Sequence, residues 1–427
     1  MHPQTWDDPA LNLSGLLKRP LTARDGESLG RLSDVIVRLR GAGCPLVTGL
    51  VGKVGGRELY IPIDQVSSLD CAELKLTSAR LDLRRFERRE GEVLLRADLL
   101  GHRLIDVASV RLVRAADLRL ARRDGEWVLA GVDARRGRGR LPGPPGLALR
   151  RRGQGEFRDQ GQFEMLIGHS ASAVLRGPFA RIRGLKPAQI ADLLEDASKA
   201  EETEILGRVH ADPELEADVF EELDEDLATR LLGARSDQEV AEVLGHMRAD
   251  DAADAIADLP QRRRETVLDL LPPAQRDKVL TLMGFNPTSA GGLMGMDFLA
   301  LPSGTPVGEV LAVVRQAVSL QPEALTSVHA LGDGGQLVGV ARLVALLQAD
   351  PAARLIEVSE TDPVRVGADT DVVDVAVLMS DYNLITIPVV DEHCGLLGLI
   401  TVDDVLEATL PGDWRRREAA EPPDGHR

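Results

Sequence analysis

Four aspartates stand close together in the stretch MRADDAADAIADLP, which spans residues 247–260. Asp250, Asp254 and Asp258 recur every four residues and so share one face of a helix, and Asp251 lies beside them. Like charges at that spacing repel each other by a few tenths of a kcal/mol per pair. Mg²⁺ prefers such carboxylates and needs only one or two of them, because it keeps several waters. The pattern indicates a divalent-cation site, whereas a helix cap or a solvated helix face would explain it without a ligand.

A twelve-residue repeat would position this helix. In steps of twelve, the chain reads VFEELDEDLATR from 219, LLGARSDQEVAE from 231, VLGHMRADDAAD from 243, AIADLPQRRRET from 255, VLDLLPPAQRDK from 267 and VLTLM from 279. Twelve residues hold about two helical turns and a connection, and one unit cannot bury its apolar face alone. The repeat therefore predicts a short α-solenoid, with looser copies that begin near Leu193 and Leu206.

The C-terminal part shows a second duplication. Two segments each have the pattern helix–strand–strand–helix, and the second contains the β-rich runs LITIPVVD (384–391) and LLGLITV (396–402) around the turn DEHCG. Alternating, β-branched runs joined by a short turn are typical of hairpins. We expect two similar α/β halves after the solenoid.

Short apolar runs with Gly and Pro between them predict β structure in the N-terminal third. The run GRLSDV (30–35) is echoed by HRLIDV (102–107), LLKR (16–19) by LLRA (94–97) and VTGLVGK (47–53) by VLAGVDA (128–134). The echoes predict two small β-barrels, or one barrel built from two half-repeats. The predicted fold class is multidomain α+β: β-barrel, all-α solenoid and α/β pair.

The net charge of −17 is unevenly distributed. Residues 1–184 contain 32 Lys and Arg against 22 Asp and Glu, and residues 185–427 contain 19 against 46. The acidic part should repel nucleic acid and attract cations. Aromatic residues make up only 3%, which argues against base stacking. The sequence contains no P-loop, no HExxH and no GxGxxG after a strand, so we expect a protein that is not an enzyme.

Residues 11–135 resemble a PRC-barrel domain in the pattern LxxRPL…DGESLGRLSDVIV…YIPIDQV. The resemblance implies a protein-docking barrel. The stretch RRGRGRLPGPPGLALRRRG (135–153) follows, and its composition predicts a linker over 136–184. An electrostatic contact with anionic lipid or RNA is the alternative for its arginines.

The motif SAGGLMGMDFLALP (289–302), after the repeat that contains MRADDAADAIADLP, resembles the cytosolic part of MgtE-type magnesium channels. The resemblance implies an MgtE N-terminal solenoid over 185–288, CBS motifs over 289–350 and 351–411, and a polar tail over 412–427. No apolar run of roughly 18 to 20 residues that would span a membrane follows the pair. The sequence therefore predicts a sensor that does not conduct ions itself.

The resemblance also implies site residues. In that family, Mg²⁺ between acidic faces clamps the solenoid against the CBS pair, and the positions that match are Asp250, Asp254 and Asp404, with Asp251 and Asp258 as neighbours. CBS pairs also bind adenosyl ligands such as ATP or AMP. The second motif retains G-h-h-T-x-x-D, in which Thr401 and Asp404 would accept ribose hydroxyls, and the base would contact an apolar wall, Ile387 and Pro388.

The sequence thus predicts a soluble, cytoplasmic regulator that responds to Mg²⁺ or Mn²⁺. It would form a homodimer through its CBS pair and act at the inner face of the membrane on a separately encoded cation transporter. One alternative is an adenine-nucleotide sensor without a metal role. A further alternative is an RNA- or ribosome-associated protein that uses the barrel and the arginine-rich linker.

Overall fold

The computed structural model describes residues 7–40, 43–70, 73–78, 82, 84, 86–89, 91–135, 157–166, 181–318, 320 and 322–410. The predicted polar tail and most of the predicted linker, residues 136–156 and 167–180, lie outside this part of the chain. The chain folds into two compact units, residues 1–222 and residues 223–427.

The first unit is built on one sheet, which has thirteen strands within the described residues. Its main path runs β13-β9-β10-β11-β4-β3-β2-β7-β6, and β1, β5, β8 and β12 pair alongside it. One core of buried leucines and valines lies beneath it. The strands are β1 Asp7–Asn12, β2 Pro20–Thr22, β3 Ser28–Arg40, β4 Gly43–Val54, β5 Arg57–Pro62, β6 Val66–Leu69, β7 Leu74–Leu76, β8 Glu92–Leu94, β9 Arg103–Asp106, β10 Arg111–Arg123, β11 Glu126–Arg135, β12 Phe157–Asp159 and β13 Phe163–Met165.

The sheet contains two half-repeats, but in a different register from the one that the sequence echoes predict. Lys18 and Gly101 both have positive φ, +67° and +83°, and each donates its N–H to the equivalent strand, Lys18 to Leu32 O at 3.0 Å and Gly101 to Ala115 O at 2.7 Å. The hairpin β9–β10 therefore corresponds to β2–β3. The predicted match of residues 30–35 with 102–107 is wrong, because short runs of apolar and charged letters recur too often to fix a register.

The two half-repeats cap each other. The Asp34 carboxylate accepts backbone N–H groups of Arg96 at 2.7 Å and Ala97 at 3.0 Å in the π-helical turn Leu95–Leu99 of the second half. In return, Asp117 accepts the N–H of Ser14 at 3.0 Å in helix α1, Leu13–Leu16, of the first half. These contacts join the halves into one structure.

Part of the predicted linker belongs to the sheet instead. Strand β12 pairs antiparallel with β11, and β13 pairs with β9. Phe163 is almost completely buried, and the Arg119 guanidinium lies 3.8 Å from the ring centroid of Phe157. The prediction of a linker is therefore wrong for residues 157–165. It followed the Arg, Gly and Pro composition of the whole segment and overlooked the aromatic residues in FRDQGQFEM.

Three helices complete the first unit: α2 Pro187–Glu195, α3 Lys199–Val209 and α4 Pro213–Glu221. Arg103 of β9 forms ion pairs with Asp196, at 2.7 Å, and with Glu201, at 3.2 Å. The buried Arg208 of α3 donates to Met165 O at 2.6 Å. The first helices of the predicted solenoid therefore pack with the β structure.

Five more helices follow in the second unit and continue the series. They are α5 Glu225–Gly233, α6 Asp237–Leu244, α7 Ala249–Asp258, α8 Gln261–Leu270 and α9 Pro273–Leu282. From α4 to α9 the helices begin at intervals of twelve residues, which confirms the predicted period. The apolar pairs of the repeat lie near the helix ends, where Leu231, Leu232, Val243, Leu244, Ile256, Val267 and Val279 are buried.

Two small three-stranded sheets form the C-terminal pair. The first contains β14 Ala300–Pro302, β15 Ser327–Leu331 and β16 Leu337–Arg342, and the second contains β17 Val366–Gly367, β18 Thr386–Val390 and β19 Leu396–Thr401. Each has one parallel and one antiparallel ladder. The helices are α10 Ala290–Leu293, α11 Val307–Gln316, α12 Leu343–Gln348, α13 Leu355–Val358, α14 Val372–Tyr382 and α15 Val402–Thr409. The predicted order of sheet, helical series and α/β pair is confirmed.

The first segment of each half of this pair forms backbone hydrogen bonds with the other half. Ala290 donates its N–H to Thr370 O at 2.7 Å in the second half, whereas Leu355 donates to Thr305 O at 2.8 Å in the first. The sequence pattern did not show these bonds, because backbone pairing of short irregular segments leaves no periodic signal. Among the described residues, no helix has the length and apolar character needed to cross a membrane.

The mutual cap at Asp34 predicts a pH dependence. Burial raises the pKa of Asp34 to about 6 from 3.8, although the backbone N–H groups of Arg96, Val35 and Ala97 act in the opposite direction. Between pH 4 and pH 6 the folded state therefore binds more protons than the unfolded state, and the free energy of unfolding should fall as the pH rises, by up to about 3 kcal/mol. The thermal unfolding of wild type and Asp34→Asn, compared from pH 4 to pH 8, isolates this contribution. A constant difference between the two proteins over that range would contradict it.

Candidate functional site

Helix α7 has one buried apolar face and one acidic face. Ala252, Ala253 and Ile256 are buried and pack it against helices α5 and α9. Alanine has the highest helix propensity, and its small side chain allows neighbouring helices to approach closely. The helix ends before Leu259, which is extended and precedes Pro260. Packing therefore fixes the acidic face in spite of its charge.

The four aspartates of α7 lie in different environments. Asp250 is 8% exposed, and its Oδ1 has no hydrogen-bond partner within the described residues. Asp251 is half-buried and forms an ion pair with Arg248. Asp254 and Asp258 are exposed. A buried carboxylate oxygen without a partner is costly, so Asp250 is the member that most needs a ligand.

The pKa values of Asp250 and Asp254 are raised by burial and by the negative charges around them. Burial is the largest cause that raises the pKa of Asp250, and the negative charge of Asp404 adds to it, while Arg248 lowers it. Partial desolvation and then the charges of Asp250, Asp258 and Glu225 raise the pKa of Asp254 to about 6.

Asp404 reaches this site from the second CBS half. It lies in the first turn of α15, where its Oδ2 accepts the N–H and the hydroxyl of Thr401, both at 2.8 Å, in a capping box. Its Oδ1 accepts Arg248 Nη1 at 3.0 Å. The structure thus brings Asp250, Asp251 and Asp404 together around Arg248, and Asp254 and Asp258 continue the acidic face along α7. Arg248 did not stand out in the sequence, because its partner is more than 150 residues away.

The residues carry hard oxygen ligands of the type that Mg²⁺ prefers, and the unpartnered Oδ1 of Asp250 fits such an ion. Within the described part of the chain, however, no three His, Cys, Asp or Glu side chains are arranged to hold a metal. A cation at this site would therefore be held by one or two carboxylates and by water. The five aspartates stay predicted ligands.

The predicted nucleotide residues lie together, but they are occupied or covered. Thr401 and Asp404 bond to each other in the capping box. Ile387 is fully buried in β18, and Pro388 beside it is also buried. In this conformation the two residues form core rather than an open wall for a base. The nucleotide site stays a prediction.

Comparison with protein families supports this reading of residues 185–410. Residues 185–288 match the model of the MgtE intracellular N domain, and residues 355–410 match that of the CBS domain. The chain is 36% identical to the magnesium transporter MgtE of Thermus thermophilus over 181 residues, which are 41% of this chain and 40% of the relative. It is 22% identical to MgtE of Bacillus subtilis over 193 residues, 45% of this chain and 43% of the relative. The chain thus spans less than half the length of these two relatives.

Two solved structures are similar as well. The cytosolic domain of the Mg²⁺ channel MgtE, in complex with ATP, is 29% identical with a TM-score of 0.50, and the match covers 56% of this chain and 93% of that one. The soluble part of a magnesium transporter, at 22% identity and a TM-score of 0.51, covers 55% and 91% and shows the shared fold. The PRC-barrel assignment of the N-terminal part stays a prediction. Residues 185–410 are therefore similar to the cytosolic region of MgtE, with a helical part that matches the MgtE N domain followed by a part that resembles a CBS pair.

Proposed function

We propose that this chain is a magnesium-responsive regulatory protein. The observation that carries the proposal is the buried, unpartnered Oδ1 of Asp250, which lies in an acidic face beside Asp404 of the CBS pair. The similarity to a cytosolic domain of an Mg²⁺ channel supports the choice of ion. Mn²⁺, which also prefers carboxylate oxygen, is the second candidate ion.

The proposed response follows from electrostatics. Without a divalent cation, Asp254 is repelled by Asp250 and Asp258, and Asp250 is repelled by Asp404, so this repulsion weakens the contact that Arg248 makes between α7 and α15. A divalent cation supplies two positive charges and accepts carboxylate oxygens through a small number of bonds. The carboxylates then face one another at lower cost, and the population with α7 against α15 rises.

We further propose that the partner is a membrane-embedded cation transporter encoded separately, and that the chain acts in the cytoplasm at the membrane surface. The names of the relatives support a role in magnesium transport. The N-terminal β structure would dock the partner. The described site consists of carboxylates, a guanidinium and a capping threonine, so we assign it a regulatory role without catalysis.

We also propose a homodimer formed through the CBS pair. Val373 and Val377 lie one turn apart on α14 and are 59% and 52% exposed, and Val344 and Leu347 of α12 are 64% and 63% exposed. Apolar side chains grouped on the helices that flank both sheets are typical of an interface. A second copy of the same pair offers a matching surface.

Magnesium should stabilise the wild-type chain, and Asp250→Asn with Asp254→Asn should abolish the effect. Without metal, the double variant should unfold at a higher temperature than wild type, because a desolvated carboxylate and the repulsion along α7 are both removed. Differential scanning calorimetry in EDTA and at up to about 10 mM Mg²⁺, a range suited to weak carboxylate sites, measures both effects.

The matched control is Glu242→Gln with Asp277→Asn. Both are exposed carboxylates on neighbouring solenoid helices, and the substitution removes the same net charge. The control should keep the magnesium shift. An equal magnesium shift in the Asp250/Asp254 variant and in wild type would refute the proposed site.

Val377→Glu should convert the dimer into a monomer, because it places a charge in the apolar surface of α14. Light scattering coupled to size exclusion measures the mass. Val318→Glu changes a valine that is 89% exposed outside these helices and should leave the dimer intact. A wild-type chain that is monomeric at micromolar concentration would overturn the assignment.

Adenine-nucleotide sensing is the second candidate function. The observation that favours it is the similar cytosolic domain whose structure contains ATP, together with the clustering of Thr401, Asp404 and Ile387. If this function holds, ATP or AMP raises the melting temperature in the absence of magnesium. Thr401→Ala should remove that shift, and Thr401→Ser, which keeps the capping hydroxyl, should retain it. No shift by either nucleotide in wild type would exclude this alternative.

A further inference from the structure

Arg248 occupies a position that helix energetics do not favour. It is the N-cap residue of α7, and its side chain makes no capping hydrogen bond. The positive end of the helix dipole lies at the N-terminus, so a cation there is destabilising. Serine, threonine, aspartate or asparagine at this position would accept a hydrogen bond from the first turn and stabilise the helix, which arginine does not do. The stability of α7 therefore does not explain why an arginine occupies this position.

The contacts of the Arg248 side chain explain its presence at the start of α7. The guanidinium donates from Nε to Asp251 Oδ2 at 2.7 Å and from Nη1 to Asp404 Oδ1 at 3.0 Å, and its side chain is 29% exposed. Nε thus contacts the acidic helix α7, and Nη1 contacts the CBS helix α15. The capping box with Thr401 fixes the second oxygen of Asp404, so the partner is rigid. The planar guanidinium of arginine donates hydrogen bonds in fixed directions and can bridge two carboxylates, whereas the compact ammonium group of lysine lacks this geometry.

We propose that Arg248 is a tethered cation that holds the solenoid against the CBS pair in the absence of metal. The inference deepens the proposed function, on which it rests for the meaning of the contact. Arg248 bonds to Asp251 and Asp404 and also attracts Asp250. Its single positive charge leaves net negative charge on α7, which a divalent cation would balance. The contact between α7 and α15 is thereby populated before metal binds, and magnesium strengthens it.

A second ion pair crosses from the solenoid to the same region but cannot take this role. Lys278 Nζ lies 2.6 Å from Asp297 Oδ1, and the side chain of Asp297 is 54% exposed. Exposed pairs of this kind contribute little, because water screens them and two long side chains must be ordered. Arg248 bonds to a carboxylate that is only 8% exposed, where screening is weaker.

Hydrogen–deuterium exchange of the full chain tests the inference, with peptides from α15, residues 402–409, as the readout. In EDTA, Arg248→Gln should raise exchange in α15 on the order of tenfold, a coupling typical of two-state contacts. Saturating Mg²⁺ should bring the variant back to within a fewfold of wild type. Arg248→Lys, which keeps the charge but not the planar guanidinium, should lie between the two.

Two controls keep the outcome interpretable. Arg262→Gln removes the same charge from the exposed surface of α8 and should leave α15 unchanged. Peptides from β15 and β16 should keep wild-type exchange in every variant, which shows that the CBS fold is intact. Wild-type exchange of α15 in Arg248→Gln in EDTA would overturn the inference. Faster exchange that magnesium does not reverse would uphold the tethered cation and would instead count against the magnesium-responsive function.

Discussion

In the second unit, helix α7 holds several negative charges that nearby cationic side chains balance only in part. Apolar packing of Ala252, Ala253 and Ile256 forces α7 into place, and its aspartates follow whether or not their charge is balanced. Burial and mutual repulsion raise the pKa values of Asp250 and Asp254 as a result. Negative charge therefore accumulates at the site, and under the proposed function a cation would balance it. Under the proposed function, the carboxylates are kept for binding at a cost in stability, which is the usual trade between stability and function.

Periodic features could be predicted from the sequence, and pairwise contacts could not. The twelve-residue spacing specified helices α4 to α9, because each repeat has the same apolar pair to bury. The acidic face followed from the spacing of Asp250, Asp254 and Asp258 alone. Arg248 was missed, since nothing local marks a residue whose partner, Asp404, is distant in the chain. The backbone hydrogen bonds between the CBS halves were missed for the same reason.

The N-terminal unit shows how composition can mislead. Arginine, glycine and proline dominate the segment after residue 135, yet β12 and β13 within it extend the sheet. The correct register of the half-repeats became visible only through backbone geometry, in the positive φ of Lys18 and Gly101. Buried ion pairs such as Arg208 with Glu164, at 3.4 Å, then tie α3 to the strands. Charged side chains in the first unit therefore stabilise its fold and do not lie only on its surface.

The two candidate ligands of the second unit meet at Asp404. Its Oδ2 belongs to the capping box with Thr401, and its Oδ1 belongs to Arg248. A nucleotide that used Oδ2 would loosen the start of α15, whereas a cation on Asp250 and Asp254 would leave the bond from Arg248 to Oδ1 in place. Under the proposed functions, both ligands would act on the contact between α7 and α15, so each would alter the affinity for the other by the same factor. Asp404, whose two oxygens bond to Thr401 and to Arg248, thus connects the solenoid to the CBS pair.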